Sequence, residues 1–345
     1  MAETRKTQRI TLAKVAEMAG VAESTASRVM NGYTHNFRVR PEVRQRVLEA
    51  AKTLNYRPNP MVRSISAKQT NLVAVVGWAS DGINRSALSE AVRVLRNGGK
   101  HVCTTFLDPD YAGHELPSWR VDGAIAHQVR EYKDLKELED NDMPYVSING
   151  LAGPGGDAVN FNEHHGMDQA LDHLIELGHT KIAYAYIDPT RPGAVHRPRH
   201  TSVDLRKSAY EQILRHRGLE PVDGYDRFDH DSLTYCQLVL LSTKATAVIA
   251  YDDTTALSII QALNTLGVSV PKDMSVVAFN DELPAQLATP ALTTIALPAS
   301  IAGRTAGEML LDRLKSDEPI PSRTVTLDET LIIRHSTSVP RVFDA

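Results

Sequence analysis

The chain has 345 residues, which is more than one ordinary domain needs, so two or three hydrophobic cores are expected. No apolar run approaches membrane-spanning length, and the amino terminus is too polar for a signal peptide. Cys103 and Cys236 form no CxxC pair and indicate thiols in a reducing compartment, so a cytoplasmic protein is predicted.

Charge is distributed unevenly along the chain. Residues 1–70 contain 13 Lys and Arg against 5 Asp and Glu, whereas residues 71–345 contain 25 against 37. A basic segment attached to an acidic body is typical of a phosphate-binding module on a domain that does not bind DNA. A solvated charged tail is the alternative, but these charges coincide with a predicted folded motif.

The first predicted elements are two short helices within residues 11–31, separated by a bend at Gly20. The outer face of the second helix has the short polar and cationic side chains that can reach bases and phosphates in a major groove: Glu23, Ser24, Thr25, Ser27 and Arg28. A generic helical hairpin shares the same apolar spacing. A third helix, predicted from Pro41 to about Leu54, would close a small three-helix core.

From Asn71 onward, apolar strands alternate with helices, which predicts parallel sheets covered on both faces. The predicted strands are 72–79, 101–107, 121–127, 144–149, 158–161, 181–187, 246–251, 274–279 and 292–297. The predicted helices include 164–177, 205–217, 253–266 and 300–315. Two such sheets in succession indicate two Rossmann-like lobes.

Ligands of open α/β sheets bind beyond the carboxyl ends of the strands. The candidate residues at those ends are Asp81, His127, Asn149, Phe161, Asp252 and Asn280. Each polar candidate could instead be a strand-end residue that only caps a neighbouring helix.

The sequence resembles the lactose-repressor (LacI/GalR) family of bacterial transcription regulators. The residues that carry the resemblance are Thr11-Leu12, Val15-Ala16, Ala19-Gly20-Val21, Ser24-Thr25, Ser27-Arg28-Val29, Asn31-Gly32, Val47, Leu54-Asn55-Tyr56 and Arg57-Pro58-Asn59. Ala22 stands where the family usually has a Ser N-cap. Glu23 and Ser24 lie at base-reading positions, so the operator sequence cannot be inherited from a relative.

The resemblance implies a homodimeric DNA-binding regulator, expected to be a repressor, with three parts. Residues 1–57 would form the helix-turn-helix headpiece, 58–70 a hinge helix and linker, and 71–345 a periplasmic-binding-protein-like effector and dimerisation domain. Lobe one would comprise about 71–161 and 294–322, and lobe two about 162–293 and 323–345. The chain would cross between the lobes near 161, 293 and 319–323.

The resemblance also implies roles on the operator. Glu23, Ser24 and Arg28 would lie nearest the bases, and the residues that contact phosphates would be Thr11, Thr25, Ser27 and Asn31. Ile65 corresponds to the hinge Leu of the family, which enters the minor groove and kinks the DNA.

For the effector, the run Arg206-Lys207-Ser208-Ala209-Tyr210 looks like the family's Arg-Leu-x-Gly-Tyr. The resemblance implies that Arg206 donates a forked pair of hydrogen bonds to ligand hydroxyls or to an anion. Asp252 would accept from hydroxyls, and Phe161 would offer a flat apolar face.

Several departures from the family pattern affect the expected ligand. Asn149 and Asn280 stand where many sugar-binding relatives carry Asp, and 82–85 replaces Asn-Pro-Phe-Phe and adds the cation Arg85. The basic cluster His196, Arg197, Arg199 and His200 would favour an anionic ligand if it faced the cleft, although a surface loop is the alternative. The predicted effector is a sugar, a sugar acid or a sugar phosphate, with a purine as a weaker candidate.

Other function classes have little support in the sequence. It contains no G-x-S-x-G elbow, P-loop or H-E-x-x-H motif, so no enzyme activity, cofactor or metal is expected. A solute-binding transport protein shares the two-lobed architecture and is the main alternative. That class predicts a signal peptide and no basic headpiece.

Overall fold

The computed structural model describes residues 10–31, 39–56, 69–77, 82–106, 120–129, 132–186, 201–222, 231–316, 318 and 320–341. The chain divides into two compact units, Met1–Asn71 and Leu72–Ala345. Among the helices in these ranges, none is both long enough and apolar enough to cross a membrane.

The first unit contains three helices: α1 Leu12–Ala19, α2 Glu23–Asn31 and α3 Pro41–Thr53. The Thr11 side chain caps α1 by accepting from the Lys14 backbone N–H at 3.4 Å. Gly20 ends this helix at φ 63°, a left-handed conformation that glycine adopts without steric cost. The three helices pack around Val15, Ala16, Ala19, Ala26, Val47, Ala50 and Ala51, which confirms the predicted helix-turn-helix and its third helix.

The second unit contains two sheets. The first sheet is parallel and has the order β10-β5-β4-β3-β1-β2. Its strands are β1 Leu72–Gly77, β2 His101–Phe106, β3 Gly123–His127, β4 Tyr145–Ile148, β5 Asp157–Phe161 and β10 Thr324–Leu327. Its helices are α4 Gly82–Asn97, α5 Lys136–Asp140 and α11 Ala299–Lys315, and Tyr132–Leu135 forms a 3-10 turn.

The second sheet has the order β11-β9-β8-β7-β6, with β11 antiparallel to β9 and the other pairs parallel. Its strands are β6 Ile182–Ala185, β7 Ala247–Ala250, β8 Ser275–Asn280, β9 Thr293–Ala296 and β11 Thr330–Ile332. Its helices are α6 Glu163–Glu176, α7 Thr201–His216, α8 Ser232–Tyr235, α9 Asp253–Thr265 and α10 Leu283–Leu287, and Cys236–Leu241 is π-helical. Separate apolar clusters cover its two faces, which gives the two-lobed α/β architecture predicted.

Two of the predicted crossings between lobes are wrong in position. The strand Thr293–Ala296 pairs with β8, so the second crossing follows residue 296 instead of residue 293. The strand Thr324–Leu327 pairs with β5 of the first sheet, whereas Thr330–Ile332 pairs with β9 of the second. The third crossing therefore lies at 328–329 and not at 319–323. The prediction was wrong because the sequence signal for these two short strands is weak.

Candidate functional site

A polar pocket lies where the carboxyl ends of the two sheets face each other. Its empty volume is about 610 Å³, including space open to solvent. Its lining residues are Ile83, Asn84, Gln128, Asn149, Ser202, Arg206, Tyr251, Asp252, Asp253, Thr254, Asn280, Glu282, Pro284 and Leu297. They come from strand ends and helix starts of both lobes, as the strand-end rule predicts.

Arg206 reaches the pocket from α7 and is only 2% exposed. Its Nε–H donates to the Glu163 carboxylate, and its Nη1–H donates to the Tyr251 carbonyl at 2.5 Å. The guanidinium carbon also lies 4.1 Å from the centre of the Phe279 ring. Burial acts against the charge, but the negative charges of Glu163, Tyr251 and Glu329 and the hydrogen bond to Glu163 together outweigh it and raise the pKa of Arg206. The pocket therefore contains a fixed cation whose charge is already matched by a protein carboxylate.

Asp252 and Asp253 bring two carboxyl groups to the start of α9. Asp252 caps this helix by accepting from the Thr255 backbone N–H at 2.7 Å, and burial raises its pKa. Asp253 accepts from the Glu282 backbone N–H at 2.7 Å. Burial raises the pKa of Asp253 to about 8, although that hydrogen bond opposes the shift. Asp252 therefore both caps a helix and lines the pocket.

Asn149 lies immediately after β4, Asn280 is the last residue of β8, and the two line the pocket from opposite sheets. Their φ angles are 53° and 103°, so both backbones leave the extended conformation at the strand end. Asn tolerates positive φ better than most residues, and its amide can both donate to and accept from a ligand.

Of the predicted effector residues that the structure describes, three are not among the lining residues. The His127 and Phe161 side chains are 1% and 5% exposed, and Phe161 packs in the core of the first sheet. Arg85 is exposed on α4, where its neighbours Ile83 and Asn84 line the pocket instead. Asp81 lies outside the described residues.

The structure adds lining residues that the sequence reasoning missed, among them Gln128, Tyr251 and Glu282. Gln128 directly follows the predicted His127, and Tyr251 directly precedes the predicted Asp252, so the sequence indicated both strand ends but not every side chain that faces the pocket. Glu282 follows β8 by two residues, and a loop position of this kind has no periodic pattern to reveal it.

In the headpiece, the residues predicted to contact bases lie on α2. Glu23 and Ser24 are exposed, and Thr25, Ser27 and Arg28 are half-buried. Ala22 directly precedes α2, and its carbonyl accepts from the Thr25 and Ala26 backbone N–H groups. Thr11 is exposed at the start of α1, whereas Ile65 lies outside the described residues.

A helix-turn-helix unit joined to a two-lobed domain with a pocket between its sheets defines a ligand-responsive DNA-binding regulator. Comparison with known proteins agrees with this class. Residues 11–59 match bacterial regulatory proteins of the lacI family, and residues 171–337 match the periplasmic binding protein-like domain.

The chain is also similar to whole regulators. It is 30% identical over 341 residues to the HTH-type transcriptional repressor PurR of Mannheimia succiniciproducens, covering 94% of this chain and 98% of that protein. The lac repressor dimer bound to operator and the anti-inducer ONPF superposes with a TM-score of 0.79 at 23% identity, over 96% of this chain and 100% of that one. The complex of the regulator CelR with cellobiose has a TM-score of 0.63 at 25% identity, over 95% and 100% of the two chains.

The protein belongs to the LacI family of bacterial transcription regulators. It is a DNA-binding regulator of the repressor type, with an effector-binding domain through which a metabolite controls DNA binding.

Proposed function

We propose that the effector of this regulator is an uncharged or amine-bearing polyhydroxyl compound, such as a sugar, bound in the pocket between the two sheets. The chemistry of the lining residues carries this proposal. Carboxyl groups and side-chain amides dominate the lining, and these groups accept hydrogen bonds from hydroxyls or amines. The cellobiose complex of the similar regulator CelR supports a sugar.

Charge argues against a sugar acid or a sugar phosphate. Among the described lining residues Arg206 is the one cation, and Glu163 already pairs with it. A ligand phosphate or carboxylate would lie near Asp252 and Glu282. It would lose its hydration without pairing with a cation that is not already paired. The cluster His196, Arg197, Arg199 and His200 lies outside the described residues.

At the operator, we assign base contacts to Glu23, Ser24 and Arg28. Phosphate contacts are assigned to Thr11, Thr25, Ser27 and Asn31, and the minor-groove contact to Ile65. The exposure of Glu23 and Ser24 on α2 supports this division. The regulator would act as a cytoplasmic homodimer and not as an enzyme, in keeping with the similar regulators and with the lac repressor dimer that shares its fold.

The effector proposal is tested by thermal unfolding of the full-length protein with cellobiose, ribose, glucosamine, gluconate, glucose 6-phosphate or hypoxanthine. We expect an uncharged or amino sugar to raise the unfolding midpoint, because a ligand at about 100 times its Kd adds about 2.7 kcal/mol to the stability of the folded state. Stabilisation by gluconate or glucose 6-phosphate alone would contradict the charge argument. Stabilisation by hypoxanthine alone would support a purine.

Two matched variants locate the binding site. Asn149→Ala removes a lining amide and should abolish the ligand-induced rise, which is measured from the lower midpoint expected for the free variant because Ala is strained at a φ of 53°. Asn264→Ala removes an exposed amide on α9 and should keep the full rise. Equal loss in both variants would place the ligand elsewhere.

A further inference from the structure

We propose that Glu282 is a bridge between the two lobes that holds the pocket closed when no effector is bound. Glu282 belongs to lobe two, in the loop between β8 and α10. Its carboxylate accepts from the backbone N–H groups of Gly82 and Ile83, at 2.8 and 3.1 Å. Those two residues begin α4 in lobe one, so both hydrogen bonds join the lobes.

The partners of this bridge are chemically matched. The first N–H groups of a helix have no partner inside the helix, and the positive end of the helix dipole favours a negative charge there. Glu282 supplies that charge from the opposite lobe. A hydrogen bond to a charged acceptor is stronger than one between neutral groups, so two of them form a substantial contact.

Gly82 allows the carboxylate to approach this closely. A Cβ atom at this position would lie 3.1 Å from the Glu282 carboxyl carbon, which is closer than ordinary van der Waals contact. The absence of a side chain therefore leaves room for the Glu282 carboxylate beside the backbone N–H groups.

The loop that presents Glu282 is held on the lobe-two side. Asn280 and Asp281 have consecutive positive φ angles of 103° and 56°, a sparsely populated conformation for side-chain-bearing residues. Asp281 accepts from Arg334 at 2.6 Å, and the Glu282 backbone N–H donates to Asp253 at 2.7 Å. These contacts fix the backbone so that the Glu282 side chain extends across the pocket to α4.

Glu282 and Ile83 both line the pocket, so the bridge forms part of its wall. Separating the lobes to admit an effector would break both hydrogen bonds together. The bridge thus stabilises the closed state. An effector that binds when the lobes separate must compensate for the loss of these two hydrogen bonds. The inference depends on the proposed function only for naming this pocket as the effector site.

The test uses the full-length protein without DNA or effector, so its outcome is independent of the proposed effector. Hydrogen–deuterium exchange is measured at the start of α4 in the wild type, Glu282→Ala, Glu282→Gln and Gln286→Ala. Loss of hydrogen bonds to a charged acceptor should speed exchange of the Gly82 and Ile83 amides by about tenfold or more in Glu282→Ala. Glu282→Gln keeps an acceptor oxygen without the charge, so its increase should be smaller. Gln286→Ala, an exposed position on α10, should match the wild type.

Small-angle X-ray scattering of the same proteins tests closure itself. We expect a larger radius of gyration for Glu282→Ala than for wild type or Gln286→Ala, because the lobes separate more freely. Unchanged amide exchange in Glu282→Ala would show that the contact does not exist in solution. Faster exchange with unchanged scattering would show a helix cap that does not hold the lobes, and either result overturns the proposal.

Discussion

Replacing Glu329 with Gln should remove a large part of the pH dependence of stability. Glu329 lies in the third crossing between the lobes, is 2% exposed, and faces Glu163 and Arg206. Burial and the negative charge of Glu163 raise its pKa to about 9, and Arg206 opposes the shift only in part. A proton on Glu329 also allows it to donate to Glu163. Within the described part of the chain, neither Glu329 oxygen has another hydrogen-bond partner.

The sign and size of the effect follow from the two protonation states. The folded chain keeps the proton up to about pH 9, whereas a carboxyl with the ordinary pKa of 4.5 releases it in the unfolded chain. Stability therefore falls as pH rises between these values, by about 1.4 kcal/mol for each pH unit and each proton. From pH 6 to pH 8 the wild type should lose about 3 kcal/mol more than Glu329→Gln.

Urea unfolding at pH 6 and pH 8, at one fixed protein concentration, measures this difference. Asp253, whose pKa is also raised, contributes equally to both proteins and cancels in the comparison. The exposed Glu308→Gln on α11 controls for the loss of a carboxylate as such. Equal loss of stability in the wild type and Glu329→Gln would refute the assignment of a buried, protonated Glu329.

Two further predictions concern Arg206 and Arg28. Arg206→Met should lower the free energy of unfolding in urea by about 3–5 kcal/mol, because it leaves Glu163 buried without its cation. The double variant Arg206→Met/Glu163→Gln should recover most of that loss. Equal destabilisation of the single and double variants would show that the two residues are not coupled. Arg28→Ala should weaken the free energy of operator binding by about 1–3 kcal/mol and relax specificity at one base position. Gel shifts on an operator selected from random duplexes measure both effects. A uniform loss across sequences would reassign Arg28 to a phosphate.

The sequence allowed most of the fold to be predicted because its strong signals are local. The periodic apolar face of residues 11–31 and the continuous apolar runs of β1 and β7 specify their elements without knowledge of the rest of the chain. Strands β10 and β11 were missed because they are short and no residue in either is fully buried. Their assignment to different sheets depends on long-range pairing with β5 and β9, which no local pattern contains.

The candidate site was predictable as a set of strand ends, but the direction of each side chain was not. Successive side chains of a strand point to opposite faces. A prediction that is wrong by one residue therefore selects a side chain that points into the core instead of the pocket. His127 is buried whereas Gln128 lines the pocket, and the predicted Phe161 packs in the core. Glu282 was not predictable, because its importance depends on the distance between two lobes.

The buried Arg206 and Glu163 beneath the pocket connect the effector site to the segments where the chain crosses between the lobes. Arg206 lines the pocket and pairs with Glu163, which directly follows the first crossing, while Glu329 lies in the third. The same two crossings are joined by the Asn162 amide, which donates to Asp328 at 2.8 Å. A ligand that hydrogen-bonds to Arg206 therefore acts on the charge balance of both segments. It can shift the lobes only by as much as its affinity differs between their two arrangements, so the proposed contacts at Glu282 and the buried Arg206–Glu163 pair would limit how strongly any effector can change operator binding.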